Sequence, residues 1–106
     1  MVNQYTIYWV NLNPTVGSEK NKTRPAVVIS PDISNKYLNT VLVAPLTSTM
    51  RKFPMRVDVN VEGKKGQAAL DQIHCVDKTR IMNRLGSLSL KEINNLKRIL
   101  KKYLVD

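Results

Sequence analysis

The chain has 106 residues, 42% of them hydrophobic, with only 4 Gly and 5 Pro, which excludes disorder and bounds it to one folded domain over 1–106. A chain of this size buries roughly 60–70% of its unfolded surface, so the core is thin and oligomerisation is a natural supplement. Seventeen Lys and Arg against eight Asp and Glu give a net charge of +9, a field that draws polyanions: nucleic acid, an anionic membrane surface or an acidic protein.

The first half reads mostly as strands. Thr6 to Leu12 is apolar and aromatic and stops at Asn13-Pro14. Thr15 to Arg24 is polar and long for a loop in so small a domain, and loops of that length are usually functional or mobile. Ala26 to Ser30 is a short β-branched run closed by Pro31, and Asp32 to Leu38 fits one or two helical turns with Asp32 as N-cap. Thr40 to Ala44 reads as a strand whose continuous apolar run, Val41 to Ala44, implies burial on both faces. Pro45 limits that strand to an edge or a bulge before Leu46-Thr47-Ser48-Thr49.

Met55 to Val61 alternates strictly, with Met55, Val57, Val59 and Val61 on one face. Gly63 to Gly66 reads as a turn and Gln67 to Val76 as a further strand. The final segment is a helix: Ser89 and Glu92 form a capping box. Leu90, Ile93, Leu96, Leu100 and Leu104 recur at helical spacing, and Ile99 and Tyr103 widen the stripe. Short strands followed by one helix make a mainly β fold with α additions.

No apolar stretch approaches the ~20 residues of a membrane span, and Met1-Val2-Asn3-Gln4 lacks a signal-peptide layout. The single Cys75 cannot form an internal disulfide, and one Cys with one His cannot build the usual zinc site. A reducing, cytoplasmic compartment without membrane attachment is expected.

Few residues here have types and positions suited to chemistry. Arg24 precedes Pro25, which holds it extended at the mouth of a strand, where a guanidinium can grip a phosphate through two N–H groups. An ordinary basic loop residue is the alternative. Thr47, Ser48 and Thr49 place hydroxyls where a buried strand emerges, either to donate to a phosphate or to satisfy a turn. Asp71 and Gln72 interrupt an apolar run, and a carboxylate there needs either a structural partner or a working role. His74 and Cys75 are neighbours on a strand and point to opposite faces, so they do not form a dyad.

There is no phosphate-cradling glycine loop and no carboxylate cluster suited to magnesium. A nuclease with this set works without a metal or other cofactor. That favours RNA, whose 2′-hydroxyl is a nucleophile already positioned beside the phosphorus.

At these residues the sequence resembles the MazF/PemK family of toxin–antitoxin ribonucleases. Asn13 to Glu19 followed by Thr23-Arg24-Pro25-Ala26-Val27-Val28 is similar to its loop and strand opening. Val43-Ala44-Pro45-Leu46-Thr47-Ser48 resembles its second motif, and Ala69 to Ile73 with Val76 to Arg80 its third. The resemblance implies an SH3-like small β-barrel with a C-terminal helix, assembled as a homodimer. It implies cleavage of single-stranded messenger RNA at short motifs to 2′,3′-cyclic phosphate and 5′-hydroxyl ends. It also implies an acidic antitoxin as partner.

Arg24 and Thr47 match the family's catalytic arginine and threonine. Asp71 matches a carboxylate of some members, but Ala69 stands where those members have a second arginine, so Asp71 is a secondary candidate with Gln72. Ser18 and Glu19 fall on the loop that flanks substrate in relatives. Ser48, Arg51, Lys52 and Phe53 are further RNA-contact candidates, or simply a solvated hairpin loop.

Two rivals remain. One is a non-catalytic toxin resembling the CcdB gyrase poisons; those end in Trp-Gly-Ile, whereas this chain ends Tyr103-Leu104-Val105-Asp106. The other is a basic nucleic-acid-binding barrel without catalysis.

Overall fold

The computed structural model describes residues 1–12 and 23–105. Most of the expected Thr15–Arg24 loop, including Ser18 and Glu19, therefore lies outside the described residues. Strands β1 (Thr6–Asn11), β2 (Thr23–Val28), β3 (Thr40–Thr47), β4 (Arg56–Val61), β5 (Lys64–Ala69), β6 (His74–Asp77) and β7 (Ile81–Ser87) form one sheet. Helix α1 (Asp32–Tyr37) links β2 to β3, and α2 (Leu90–Leu100) follows β7. The strand order is β4-β5-β3-β2-β1-β7, with β6 also paired to β3. The sheet curls into a half-barrel carrying the C-terminal helix, the mainly β, SH3-like architecture expected.

Side-chain alternation splits the core in two. Ile7, Val27, Ala44, Leu46, Val57, Val59 and Ala68 face one side and pack with Leu96 and Ile99 of α2. Tyr8, Val10, Ala26, Val28, Val41, Val43 and Val76 pack on the other side. Every sheet residue between Val43 and Leu46 is thus buried, whereas Leu42 and Thr40 are exposed, so the two-sided burial begins later in β3 than its apolar run suggests.

Pro45 does not confine β3 to an edge. The strand is paired on both sides: Ala26 stands opposite Pro45 in β2, while β6 pairs with residues up to Val43 and β5 from Leu46 onward. The Ile29 N–H donates to the Leu42 carbonyl at 2.9 Å. Alternation then turns the Pro45 backbone away from β2, into the gap where β6 has ended and β5 has not begun. The missing N–H costs no ladder bond there.

Three other expectations shift. The hairpin turn is Glu62-Gly63, with φ of 50° and 79°, a two-residue turn of the left-handed kind that suits strand twist. Lys64 to Gly66 belongs to β5. The run from Gln67 to Val76 is broken by a 3-10 turn at Leu70–Gln72. Helix α1 has no side-chain cap: the Asp32 carboxylate instead accepts the Gln4 N–H at 2.7 Å. Strand β7 interrupts its apolar residues with Asn83, Arg84 and Gly86 and carries no clear period, so it escapes the pattern reading.

The capping box of α2 forms as expected. Ser89 Oγ accepts the Glu92 N–H at 3.2 Å and Glu92 Oε1 accepts the Ser89 N–H at 2.8 Å. Glu92 Oε2 also accepts the Asn60 N–H at 2.7 Å, which ties the helix start to β4. Only the middle of the apolar stripe is buried, since Leu90 and Leu104 are exposed and the chain loosens into a π-type turn over Lys101–Val105. No helix among the described residues is long and apolar enough to cross a membrane.

Leu96→Ala is expected to cost about 2–5 kcal/mol through cavity formation, whereas Leu90→Ala should stay within about 0.5 kcal/mol of the parent. Urea unfolding of the two variants measures the contrast, and equal losses would contradict this packing.

Candidate functional site

The site lies where β2 begins and β3 ends. Arg24 is the second residue of β2, opposite Val10, and Pro25 stands opposite Trp9. The extended geometry that Pro25 imposes suits a strand, so the arginine leaves an ordered backbone and reaches outward. It is exposed, and among the described residues its guanidinium has no hydrogen bond or ion pair. No partner among the described residues occupies its N–H donors, which can serve an anion.

Thr47 closes β3 and pairs with Gln67. Its Oγ1 accepts the Thr49 N–H at 3.1 Å, which occupies a lone pair and leaves the hydroxyl proton as a donor. Strand β5 approaches closely here because residue 66 is glycine: a Cβ on Gly66 would stand 3.0 Å from the Thr47 carbonyl oxygen.

Buried Gln67 fixes the loop beyond Thr47. Its Oε1 accepts the Arg51 N–H and its Nε2 donates to the Arg51 carbonyl, each at 2.9 Å. The same Nε2 donates to Asp58 Oδ1 at 2.9 Å. A side-chain amide thus substitutes for a neighbouring strand and holds Arg51 over the sheet.

Two cavities meet at Arg24, Thr47 and Thr49. The larger, about 710 Å³, runs past Trp9, Pro25, Leu46 and Leu85 and is bordered by Ser48, Lys64 and Lys65. Trp9 is 37% exposed, so an indole face is open in a basic groove, the arrangement on which nucleic-acid bases stack. The smaller, about 190 Å³, is polar and is lined by Arg24, Thr47, Thr49, Arg51, Arg56 and Gln72.

Asp71 is engaged by Arg56. Its carboxylate accepts from Arg56 Nε at 2.9 Å and from Nη2 at 3.5 Å. That hydrogen bonding, against the opposing effect of burial, holds the Asp71 carboxyl below its ordinary value of 3.8. The pair is intact above the ordinary value, and its contribution fades only as pH falls through the lowered one. The Asp71 side chain is 36% exposed, so the pair adds little stability and serves mainly to fix geometry.

Phe53 lies under the same guanidinium, with its ring centroid 5.1 Å from Arg56 Cζ. Lys52 is exposed between Arg51 and Phe53.

The structure thus brings Arg24, Thr47, Ser48, Arg51 and Gln72 to one locus and puts Asp71 and Phe53 on Arg56 beside it. Sequence reasoning missed Arg56, Trp9 and Gln67. The lone Trp on an otherwise buried strand was the available signal for Trp9. Arg56 and Gln67 carried none, because each acts across the β4–β5 ladder. Among the described residues no three His, Cys, Asp or Glu side chains gather as a metal site.

A family model described as the PemK-like, MazF-like toxin of type II toxin–antitoxin systems matches residues 3–104. The chain is 36% identical over 104 residues to the endoribonuclease MazF of Staphylococcus saprophyticus subsp. saprophyticus, spanning 90% of this chain and 87% of that protein. A MazE–MazF structure from Deinococcus radiodurans superposes with a TM-score of 0.82 at 24% identity, covering 96% of this chain and 94% of its own. An endoribonuclease in complex with its cognate antitoxin, from a mycobacterial species, gives 0.80 at 21%, covering 96% and 93%. At these identities the structural likeness establishes the fold.

Gln67→Leu keeps the volume but strips both Arg51 backbone groups of their partners. The change is expected to cost about 1–3 kcal/mol and to release the Arg51 amide to rapid hydrogen exchange. Retained protection of that amide would show that the loop is held by something else.

Proposed function

The chain belongs to the PemK-like, MazF-like toxins of type II toxin–antitoxin systems, and on that premise we propose that it is an endoribonuclease cutting single-stranded messenger RNA at short motifs, with Arg24 and Thr47 as the catalytic pair. The observation that carries this reading is the meeting of the two cavities at Arg24, whose guanidinium has no partner among the described residues, and a donor hydroxyl. Bases enter the groove walled by Trp9, Leu46 and Leu85, and the backbone phosphate rests between Arg24 and Thr47.

The cleavage proposed is internal transesterification. The 2′-oxygen attacks phosphorus, its proton leaves, and the bond from phosphorus to the 5′-oxygen breaks as that oxygen gains a proton. The products are a 2′,3′-cyclic phosphate and a 5′-hydroxyl end. Negative charge grows on the phosphoryl oxygens during attack, and donors already aimed at it lower the barrier most. Arg24 offers a two-point contact through its planar fork, and the Thr47 O–H offers a third donor. No metal or cofactor is invoked, because the substrate carries its own nucleophile.

The partners follow from the same premise. An acidic antitoxin suits a chain of net charge +9, and a groove that accepts RNA also accepts an acidic peptide. A homodimer of this one toxin domain, acting in the cytoplasm, completes the reading. The relative named as an endoribonuclease favours it over a gyrase-binding toxin.

Incubating the protein with a long single-stranded RNA in EDTA, then mapping the ends, is the test. Discrete cuts with cyclic phosphate termini are expected. Arg24→Lys should lose about 100-fold or more in rate despite keeping its charge, since an ammonium cannot reproduce the fork. Thr47→Val should lose about 10–1,000-fold for want of one donor. Intact RNA from folded protein would overturn the reading.

A further inference from the structure

Arg56 sits at the start of β4, directly across the ladder from Ala69. Its side chain is only 8% exposed. A nearly buried guanidinium is costly unless its donors are engaged, because desolvation penalises the charge. Asp71 engages one edge, Nε and one Nη2 proton, and the Phe53 ring supports one face. The remaining edge, Nη1 with the second Nη2 proton, has no recorded partner among the described residues. The side chain lines the 190 Å³ cavity shared with Arg24, Arg51 and Thr47.

An arginine locked on one edge and one face can present its other edge with little loss of freedom on binding, which is how preorganised contacts gain affinity. The cavity it lines is polar, and three arginines, Arg24, Arg51 and Arg56, are among its lining residues. The carboxylate next to it points into the fork of Arg56 and so leaves the cavity field positive.

We propose that Arg56 is a second phosphate-binding residue of the site, held by Asp71 and Phe53 so that its free edge takes the backbone phosphate adjacent to the one at Arg24 and Thr47. This rests on the ribonuclease reading and deepens it. Asp71 then acts as a positioning residue. Phe53, 52% exposed, keeps its outer face open beside that phosphate.

The experiment is binding of an uncleavable strand, in which 2′-deoxy residues replace the ribonucleotides, to the full chain across a salt series. Each phosphate contact on a single strand contributes about 0.7 to the slope of log K against log salt. Arg56→Gln is expected to lower the slope by about 0.7, and Arg56→Lys to keep the slope while binding several-fold more weakly. The double variant Arg56→Gln with Asp71→Asn restores the parent net charge. Its slope should nevertheless stay low if the contact is direct.

A slope unmoved in folded Arg56→Gln, or restored in the double variant, would overturn the assignment while leaving the ribonuclease reading intact. Should Arg56→Gln not fold, a slope in Arg56→Lys as low as that expected for the neutral variant overturns it equally. Absence of salt-dependent binding by the parent protein would bring down both.

Discussion

Strand β3 has a neighbour on each edge, β2 on one side and β6 then β5 on the other, and its segment Val43–Leu46 is buried on both faces. A strand in that position cannot slip: a shift of one residue would exchange every side chain between the two cores. The register of β3 is therefore the constraint on which the site depends. It sets Thr47 as the last paired residue, fixes the height at which Arg24 leaves β2, and brings Gly66 against the Thr47 carbonyl. Pro45 is compatible with this position only because the partner strand changes there, from β6 to β5.

The site gathers positive charge without much relief from acids. Arg24 is left unpaired among the described residues, Arg51 is held by its backbone through Gln67, and Arg56 is neutralised on one edge alone. Each arrangement spends packing or hydrogen bonds on orientation instead of on charge cancellation. Such a cluster is unfavourable in isolation, and an anion placed beside it would relieve the repulsion. Division of the pocket into an apolar-walled groove and a polar cavity matches the two faces of a nucleic-acid strand, bases on one side and phosphates on the other.

The β4–β5 hairpin organises this arrangement from behind. Its two-residue turn at Glu62-Gly63 sets the pairing that puts Arg56 opposite Ala69 and Asp58 opposite Gln67. One strand of the hairpin then holds the loop after Thr47, and the other supplies a guanidinium that the loop's own Phe53 covers. The same pairing keeps the Arg56 side chain beside the Asp71 carboxylate that follows β5.

The sequence alone determined the class of fold, the capped C-terminal helix, the alternation of β4 and the net charge of +9. These are properties of composition and of short-range periodicity, which a single segment carries within itself. Arg24 became a candidate through Pro25 and Thr47 through its place at the end of an apolar run, and the resemblance to the family's motifs singled out both. Tertiary structure alone decided that Asp71 is engaged by Arg56, that Gln67 holds the Arg51 loop, and that Trp9 opens onto the groove. It also decided how far the apolar stripe of α2 is used. Those contacts join residues on different strands, and their register arises from the packing of both cores, which no local pattern encodes.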